Sequence, residues 1–322
     1  GPWHDATMAL DGPAAAALGE LARMRWHSAG GDTLAAVEER NDCWPASLEP
    51  HFAAAAAAIS RTCPDYRILE ECREIEALSL DLVAAARRFI YAESQYFASR
   101  RIAEAIAARM AGPDPPEIVL VNPQEAWGWL EREAMDTARA RLWQAIGRCD
   151  PSRRFRLYHP FTAAGAPIYC HAKIMIVDDE LLRIGSANFN NRSMGLDSEC
   201  DVFVDCARPA NRHCGAAIRG IRHSLLAEHL GLEVEEVGPL LDRHGSMAAM
   251  IEARGGDRPR CLHRLKLEEL DELHEELADN EILDPETPEE MFEFVEGRRG
   301  LFRRRGLLSR ALAHARGKQE RR

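Results

Sequence analysis

Hydrophobic and polar positions follow two different periods along this 322-residue chain. Apolar residues spaced three and four apart predict helices over residues 13–26, 67–87, 99–110, about 125–147 and 211–231. Short apolar runs bordered by turn-forming residues predict strands over residues 89–93, 116–123, 154–160 and 199–206. The alanine-rich stretch 51–60 fits a helix or a strand. Strands that alternate with helices of this length predict a layered α/β fold.

One strand-like stretch, YCHAKIMIV at residues 169–177, carries polar residues inside an apolar run. Side chains at i and i+2 of a strand point the same way, so the spacing predicts that His171 and Lys173 share one face. A lone histidine on an apolar strand is usually a satisfied core residue. A lysine buried without a partner is costly, however, so the pair favours a functional site over an ordinary core strand.

A predicted hairpin brings further polar groups to this face. Asp178 begins a predicted turn into a second strand, LLRIG, which ends at Gly185 and would return the Gly-Ser-Ala-Asn stretch to the His–Lys face. Gly185 allows close backbone approach, and Ser186 and Asn188 offer a hydroxyl and an amide. This set suits a phosphodiester, which needs a nucleophile or proton donor and charge stabilisation for its oxygens.

The spacing H-x-K-x4-D-x6-G-S-x-N resembles the HKD signature of the phospholipase D superfamily. Five further segments resemble the same superfamily: PWHD at 2–5, REIEAL at 73–78, IYAESQYF at 90–97, NRSMGLDSECDVFV at 191–204 and IRHSLLAEHLG at 221–231. The resemblance covers residues 1 to about 231 and is closest to bacterial phospholipases D and transphosphatidylases. It implies a layered α-β-α sandwich with a mixed sheet, followed here by a helical, charged C-terminal extension.

The resemblance also implies roles for the motif residues. The catalytic set is His171, Lys173 and Asp178, acting through a phosphohistidine without a metal or cofactor. His171 resembles the C-terminal copy of the motif, which implies that it is a general acid or base rather than the nucleophile. Lys173 and Asn188 are expected to bind phosphate, and Asp178 is expected to hold the hairpin rather than to transfer protons.

Four more residues enter the candidate site by the same resemblance. Ser186 is expected to support the site, and Glu199 is the expected orienter of His171. Glu93 and Gln95 alternate on the strand over residues 89–93 and just beyond it, so they would line the site. A half-exposed structural strand is an equally good interpretation of Glu93 and Gln95.

The sequence contains one H-x-K triplet, whereas the resemblance implies two facing motifs. We expect residues 1–60 to follow an N-terminal HKD lobe that precedes this chain, and residues 61–235 to form the C-terminal lobe. Residues 236–295 would form a helical acidic extension and residues 296–322 a basic tail. The alternative is a homodimer that pairs two copies of His171.

Composition limits the expected partners and location. The chain has 41 Lys and Arg against 52 Asp and Glu, a net charge of −11, which makes nucleic acid an unlikely partner. Its nine cysteines lack disulfide or metal-site spacing and predict a reducing compartment. We expect a cytoplasmic protein, or one peripheral to the cytoplasmic face of the membrane. The basic tail 296–322 would contact anionic lipid, or else form a disordered tail or a juxtamembrane linker.

These observations together predict a phospholipase D-type phosphodiesterase or phosphatidyltransferase that acts on phospholipids. Three alternatives stay open: cardiolipin-synthase-like phosphatidyl transfer, a nuclease of the same superfamily, and a lipid-binding half without catalytic activity. The head group and the acceptor alcohol are not predicted by the sequence.

Overall fold

A nine-stranded sheet forms the centre of the molecule in the computed structural model, which describes residues 1–37, 43–64, 70–128, 135–254, 260–265 and 284. Its strands are β2 (Ala57–Cys63), β3 (Cys72–Arg73), β4 (Phe89–Glu93), β5 (Glu117–Val121), β6 (Phe155–Phe161), β8 (Ile174–Val177), β9 (Leu181–Gly185), β10 (Glu199–Asp205) and β11 (Cys261–Arg264). A separate two-stranded sheet pairs β1 (Trp3–His4) with β7 (Tyr169–Cys170) in parallel.

The strand order across the main sheet is β11-β6-β5-β4-β8-β9-β10-β2-β3. Strands β4, β5 and β6 are parallel, and the other neighbours pair antiparallel, so the sheet is mixed. The β8–β9 hairpin lies in the middle, with β4 on one side and β10 on the other. Both strands of the hairpin are therefore hydrogen-bonded along both edges, which fixes the position of the loops at its ends.

Helices cover both faces of this sheet. They are α1 (Pro13–Ser28), α2 (Glu74–Ala85), α3 (Arg100–Ala111), α4 (Thr137–Cys149), α5 (Gly215–Leu230), α6 (Val234–His244) and α7 (Met247–Arg254). Buried side chains of α2, α3 and α4 form one hydrophobic core with one face of the sheet, and those of α5, α6 and α7 form a second core with the other. The predicted layered α-β-α fold with a mixed sheet is confirmed.

Strand β4 shows how the two cores divide the side chains of one strand. Ile90 and Ala92 lie in the core with α2 and α3, and Tyr91 lies in the core with α5. Successive side chains of a strand point to opposite faces, so Glu93 belongs with Tyr91 on the α5 side. A buried carboxylate thus enters the layer between the sheet and α5.

Two stretches of the main sheet differ from the sequence prediction. The ambiguous stretch 51–60 contributes the first residues of β2, which pairs with β10. Strand β11 pairs antiparallel with β6 in a region predicted to be helical and free of strands. Cys261 and Leu262 are buried at this edge, and only four residues form the strand, too few to give a clear two-residue period.

The remaining differences concern helix bounds and the C-terminal part. Helix α4 begins at Thr137, later than the predicted 125, and residues 129–134 lie outside the described residues. Most of the predicted acidic extension and the whole basic tail 296–322 also lie outside them. Across the described ranges, every helix is too short or too polar to span a bilayer.

Candidate active site

His171 is held by the N-terminal segment of the chain. The backbone N–H of His171 donates to the His4 carbonyl over 2.7 Å, which continues the β1–β7 pairing by one residue. The His171 ring Nδ1 then lies 2.9 Å from Asp5 Oδ2, and the His171 side chain stays 35% exposed. This contact assigns the Nδ1–H tautomer to a neutral His171, because a carboxylate accepts and leaves Nε2 open.

Asp5 remains an anion in this pair. Burial would raise the pKa of the Asp5 carboxyl, but the hydrogen bond with His171 and the Ala6 backbone N–H offset burial, and the pKa lies below its usual value. A charged Asp5 can therefore orient the His171 ring and stabilise its imidazolium form.

The structure corrects the predicted strand at the motif. Residues 171–173 lie between β7 and β8, which begins at Ile174, so His171 and Lys173 do not share the face of one strand. The reason is a change of partner: β7 pairs with β1 in the small sheet, whereas Ile174 pairs with Glu93 of β4.

Lys173 is nearly buried beside the His171 backbone. Its side chain Nζ donates to the His171 carbonyl, and its own carbonyl accepts the Gly185 backbone N–H over 3.1 Å. Burial lowers the pKa of Lys173 to about 8, although the charge of Asp5 acts in the opposite direction. A partly desolvated ammonium is a strong ligand for a phosphate oxygen, because little water remains to be displaced from it.

Asp178 lies at the other end of the hairpin from His171 and Lys173. Asp178 and Asp179 have φ values of 57° and 59°, which is the backbone of a type I′ hairpin turn. The Asp178 carboxylate accepts the backbone N–H groups of residues 87–89 over 2.8–2.9 Å. At ~3.3 Å per residue, β8 separates Asp178 from Lys173 by about 16 Å. The grouping of Asp178 with the catalytic residues is therefore corrected, and its expected structural role fits these contacts.

Gly185 marks a very close approach between β9 and β10. A Cβ atom at this position would lie 2.1 Å from Asp201 Oδ1 and 2.5 Å from the Cys200 carbonyl oxygen, so a side chain cannot fit without a shift of the backbone. This contact fits the close backbone approach that the sequence predicts at Gly185.

A buried ion pair below Gly185 shapes the following loop. Arg183 Nε lies 2.5 Å from Asp201 Oδ2, and both side chains are almost fully buried. Arg183 also donates to the Ala187 carbonyl over 2.7 Å, and Asp201 accepts the Ala187 N–H over 3.2 Å. Sequence reasoning missed Arg183 and Asp201, although a charged residue in each of two buried strands was a usable signal.

Glu199 pairs with two serines instead of orienting His171. Its carboxylate accepts from Ser186 Oγ over 2.5 Å and from Ser193 Oγ over 2.7 Å. Burial raises the pKa of Glu199, and the two serine hydrogen bonds only partly oppose it. The orienting carboxylate beside His171 is Asp5, so the expected role of Glu199 is corrected. Ser186 supports Glu199 as well as the loop, because Ser186 Oγ also accepts the Cys200 N–H over 3.0 Å.

Asn188 joins the hairpin loop to β4. Its Oδ1 accepts the Gln95 backbone N–H over 3.1 Å, and its amide nitrogen lies 3.4 Å from Gln95 Oε1. The Gln95 side chain donates to the hydroxyls of Tyr96 and Tyr169 over 2.8 Å. Gln95 is therefore placed near the motif, and its predicted part in lining the site stays a prediction.

Glu93 does not line the open site. It is 1% exposed, and its carboxylate oxygens lie 2.6 Å from His4 Nε2 and 3.0 Å from His229 Nε2. The prediction that Glu93 faces the phosphate is therefore wrong, because the alternation along β4 turns Glu93 toward α5.

The loop after Asn188 has a partner far along the chain. Asp284 accepts the backbone N–H groups of Asn191 and Arg192, each over 2.8 Å, and is itself buried. These contacts fix the start of the π-helix Arg192–Leu196, which carries Ser193 to Glu199. Nothing in the local pattern around Asp284 indicated this contact.

Comparisons with known proteins agree with the motif. The family model for phospholipase D matches residues 142–256, which include the whole H-x-K stretch. Phospholipase D alpha 2 from Oryza sativa subsp. japonica is 25% identical over 72% of this chain and 40% of its own length. Phospholipase D delta from Arabidopsis thaliana is 43% identical over 21% of this chain and 9% of its own.

The family-model match over residues 142–256 and the plant relatives support membership of the phospholipase D superfamily. Members of this superfamily are phosphodiesterases or transferases, and the chain spans less than half the length of these curated plant relatives. A solved structure of a phospholipase D family member, Nuc from Salmonella typhimurium, is 17% identical with a TM-score of 0.34. It covers 51% of this chain and 91% of that one.

Beside the superfamily motif lies an exposed aromatic cluster made of Trp3, Trp127 and Tyr169. The Trp3 ring lies 4.9 Å from the Tyr169 ring and 5.0 Å from the His171 ring, and Trp127 lies 5.5 Å from both Trp3 and Tyr169. Trp3 is 49% exposed and Trp127 is 64% exposed. Sequence reasoning missed this cluster because Trp3 and Trp127 are 124 positions apart.

The arrangement can hold and activate a phosphodiester from one side. It offers a carboxylate-oriented imidazole, a partly desolvated ammonium and two side-chain polar groups on one hairpin loop, with aromatic rings beside them. An oriented imidazole transfers protons, and fixed cations stabilise charge that develops on phosphate oxygens.

Proposed function

We propose that this chain supplies a phospholipase D-type site that hydrolyses or transfers phosphatidyl groups. The observation that carries the proposal is His171, hydrogen-bonded through Nδ1 to Asp5 and placed next to the nearly buried Lys173. In this proposal Lys173 and Asn188 bind the non-bridging phosphate oxygens, and Ser186 with Glu199 holds the loop that presents Asn188.

The proposed reaction has two displacement steps. In the first, Nε2 of one histidine attacks phosphorus while the bond to the leaving alcohol breaks, and a second histidine gives that oxygen a proton. In the second, water or another alcohol attacks phosphorus and loses its proton to the second histidine, while the P–N bond breaks and frees the first histidine. His171 takes the acid and base role, since Asp5 stabilises its protonated form.

The nucleophilic histidine must come from outside this motif, because the 322 residues contain one H-x-K triplet and His171 takes the acid and base role. Another lobe of the same protein or a second copy of this chain would supply it. In either case the partner motif has to face the open Nε2 side of His171.

A phospholipid substrate is favoured over nucleic acid by two features. The net charge of −11 opposes a polyanion, and the exposed rings of Trp3 and Trp127 beside His171 suit the interface between lipid and water. We extend the proposal to a peripheral location on the cytoplasmic face of a membrane, with the basic tail 296–322 on anionic lipid.

Vesicles of phosphatidylcholine and phosphatidylglycerol test the proposal directly, with ethanol added as an acceptor to separate transfer from hydrolysis. The full protein should release the head group, and His171→Ala should lower the rate by at least about 10²–10⁴-fold, the usual contribution of general acid–base catalysis. His51→Ala, at an exposed histidine outside the helices and strands, should keep the wild-type rate.

Activity should be measured against concentration, together with mass by light scattering. A rate per chain that follows dimer mass supports a second copy as the source of the nucleophilic histidine. Unchanged phospholipid turnover in His171→Ala, or cleavage of single-stranded DNA with none of phospholipid, would contradict the proposed function.

A further inference from the structure

A buried carboxylate with three hydrogen-bond donors lies behind the open site. Glu93 Oε2 faces His4 Nε2 at 2.6 Å, and Glu93 Oε1 faces His229 Nε2 at 3.0 Å and the Tyr91 hydroxyl at 2.5 Å. His4, Tyr91 and His229 come from β1, β4 and α5, and all are buried. We call Glu93, His4, His229 and Tyr91 the Glu93 network.

The hydrogen-bond pattern assigns the charges in the Glu93 network. His4 faces Glu93 through Nε2 and Glu228 through Nδ1, at 3.1 Å, so both ring nitrogens donate and His4 is a cation. His229 Nε2 lies 3.0 Å from Glu93 Oε1, while its buried Nδ1 has no partner among the described residues. Burial alone would lower the pKa of His4, but Glu93 and then Glu228 more than offset burial, and the pKa is about 9.

The same residues do not form a ready metal site. The donor atoms of His4, Glu93 and Cys170 lie within 4.8 Å of one another. The Glu93 oxygens, however, already accept three short hydrogen bonds, and burial raises the pKa of the Cys170 thiol well above its usual value. Within the described residues, hydrogen bonds between its own side chains hold the Glu93 network together.

The Glu93 network is attached to the active site through a single peptide unit. His4 and Asp5 are neighbours, and adjacent side chains of an extended segment point to opposite sides. His4 is drawn inward by Glu93, so Asp5 is directed outward, where it meets His171. The β1–β7 pairing has only two residues on each strand and does not by itself fix this segment.

We propose that the Glu93 network is a positioning device that holds the Trp3–Asp5 segment, so that Asp5 keeps His171 in the Nδ1–H tautomer with Nε2 free to react. Glu93, His4 and His229 are then positioning residues, which act on the reaction only through Asp5. The proposal deepens the proposed function and rests on it for its consequence for turnover, but its structural part does not depend on any substrate.

The tautomer of His171 is the direct measure of this device. Nitrogen-15 spectra of histidine-labelled protein, at a pH where His171 is neutral, distinguish the two ring tautomers, and His171→Gln identifies the His171 signals. Wild type should show the Nδ1–H form. Glu93→Gln should give a mixture of both tautomers, and Asp5→Asn, whose amide can donate to Nδ1 as well as accept from it, should do the same. Glu93→Gln should also lower kcat by about 10²-fold with little change in KM, because misplacement of a catalytic group costs about that much.

A matched control is another buried ion pair that lies away from the site. Asp179 is held by Arg222 over 2.7 and 2.8 Å at the turn end of the hairpin. Asp179→Asn should destabilise the fold while leaving the His171 tautomer unchanged. If Glu93→Gln does not yield folded protein, His4→Asn carries the same test, with the same expected mixture of tautomers.

The outcomes separate this inference from the proposed function. An unchanged His171 tautomer in folded Glu93→Gln overturns the positioning role, and so does an equal change in Asp179→Asn. A changed tautomer in a protein that never cleaves phospholipid keeps the positioning role and rejects the proposed function. Phospholipid cleavage with equal kcat in wild type and Glu93→Gln keeps the function and rejects the positioning role.

Discussion

The two ends of the β8–β9 hairpin differ in whether their charged side chains have partners within the protein. At the turn end, Asp178 accepts three backbone N–H groups and Asp179 is paired with the Arg222 guanidinium, so each carboxylate is satisfied within the protein. At the open end, Lys173 is nearly buried, and in the described part of the chain it forms no ion pair with a carboxylate.

This difference distinguishes a structural cluster of charges from a functional one. Loss of either partner of a buried ion pair destabilises the fold, because the remaining charge stays in a low-dielectric interior without a counter-charge. A buried charge that keeps free donors is costly by itself and gains a partner only when a ligand arrives. The hairpin therefore contains a paired end and, in the proposed function, a reactive end about 16 Å apart.

The largest expected effect on stability follows from loss of the Asp179–Arg222 ion pair at the turn end of the hairpin. Asp179→Ala should lower the free energy of unfolding by about 3–5 kcal/mol, because it leaves Arg222 as an uncompensated buried charge. Chemical denaturation monitored by circular dichroism measures this change. Turnover per folded molecule should stay close to wild type, and a loss of turnover without a loss of stability would contradict the division between the two ends.

At the end that carries Lys173 we expect the reverse: a loss of turnover without a loss of stability. Lys173→Met should lower phospholipid turnover by about 10²–10³-fold, the usual cost of removing one group that stabilises transition-state charge. The unfolding midpoint should stay the same or rise, because an apolar side chain replaces a desolvated cation. A marked fall in the midpoint would show that Lys173 is structural.

The contact between β9 and β10 predicts an intermediate effect. Gly185→Ala should destabilise the protein by about 1–3 kcal/mol, the usual cost of overpacking, and should displace the Ser186–Asn188 loop. Gly220→Ala is the matched control, since a Cβ at Gly220 on α5 meets nothing within 4 Å. That change should be neutral or stabilising by up to about 1 kcal/mol. Equal midpoints for the two variants would contradict the close approach at Gly185.

The smallest expected effect is on the pH dependence of kcat/KM. The pKa of Lys173 is lowered to about 8 by burial, so kcat/KM should fall as pH rises above about 8 and the ammonium loses its proton. Lys173→Arg should remove this alkaline fall, whatever its absolute rate, because a guanidinium stays charged. The same wild-type profile in Lys173→Arg would assign the fall to another group.

Deprotonation of Lys173 should have the opposite effect on stability, which should rise with pH while kcat/KM falls. Between pH 8 and the ordinary value of 10.5, the unfolded chain binds more protons at Lys173 than the folded one, so this residue adds stability as pH rises. The stability advantage of Lys173→Met over wild type should therefore shrink from pH 8 to about 10.5. A constant advantage across that range would contradict the lowered pKa.

The pattern of residues close in sequence was sufficient to predict those elements whose structure depends on sequence neighbours. The turn at Asp178–Asp179, the strand after it and the close approach at Gly185 all follow from residues within one hairpin, and the structure contains each of them. Helix α5 ends as predicted near Gly231, which has the left-handed backbone of a C-cap.

Contacts between residues far apart in the sequence could not be predicted from it. Asp5 lies 166 positions before His171, and His4 and His229 reach Glu93 from opposite ends of the described lobe. No periodicity connects such residues, so Glu199 was expected at the histidine and Glu93 at the phosphate. The same cause interrupted the strand at residues 171–173, because β7 pairs with β1 rather than with the main sheet.

The Glu93 network also sets the order in which the site can form during synthesis. Asp5 is synthesised before His171, but its position on His171 depends on His4, which depends on Glu93 and then on His229. About 225 residues therefore separate the first and last parts of one contact chain, and closing so long a loop is a late event in folding. A nascent or partly folded chain would therefore expose the H-x-K residues before Asp5 is held against the His171 ring.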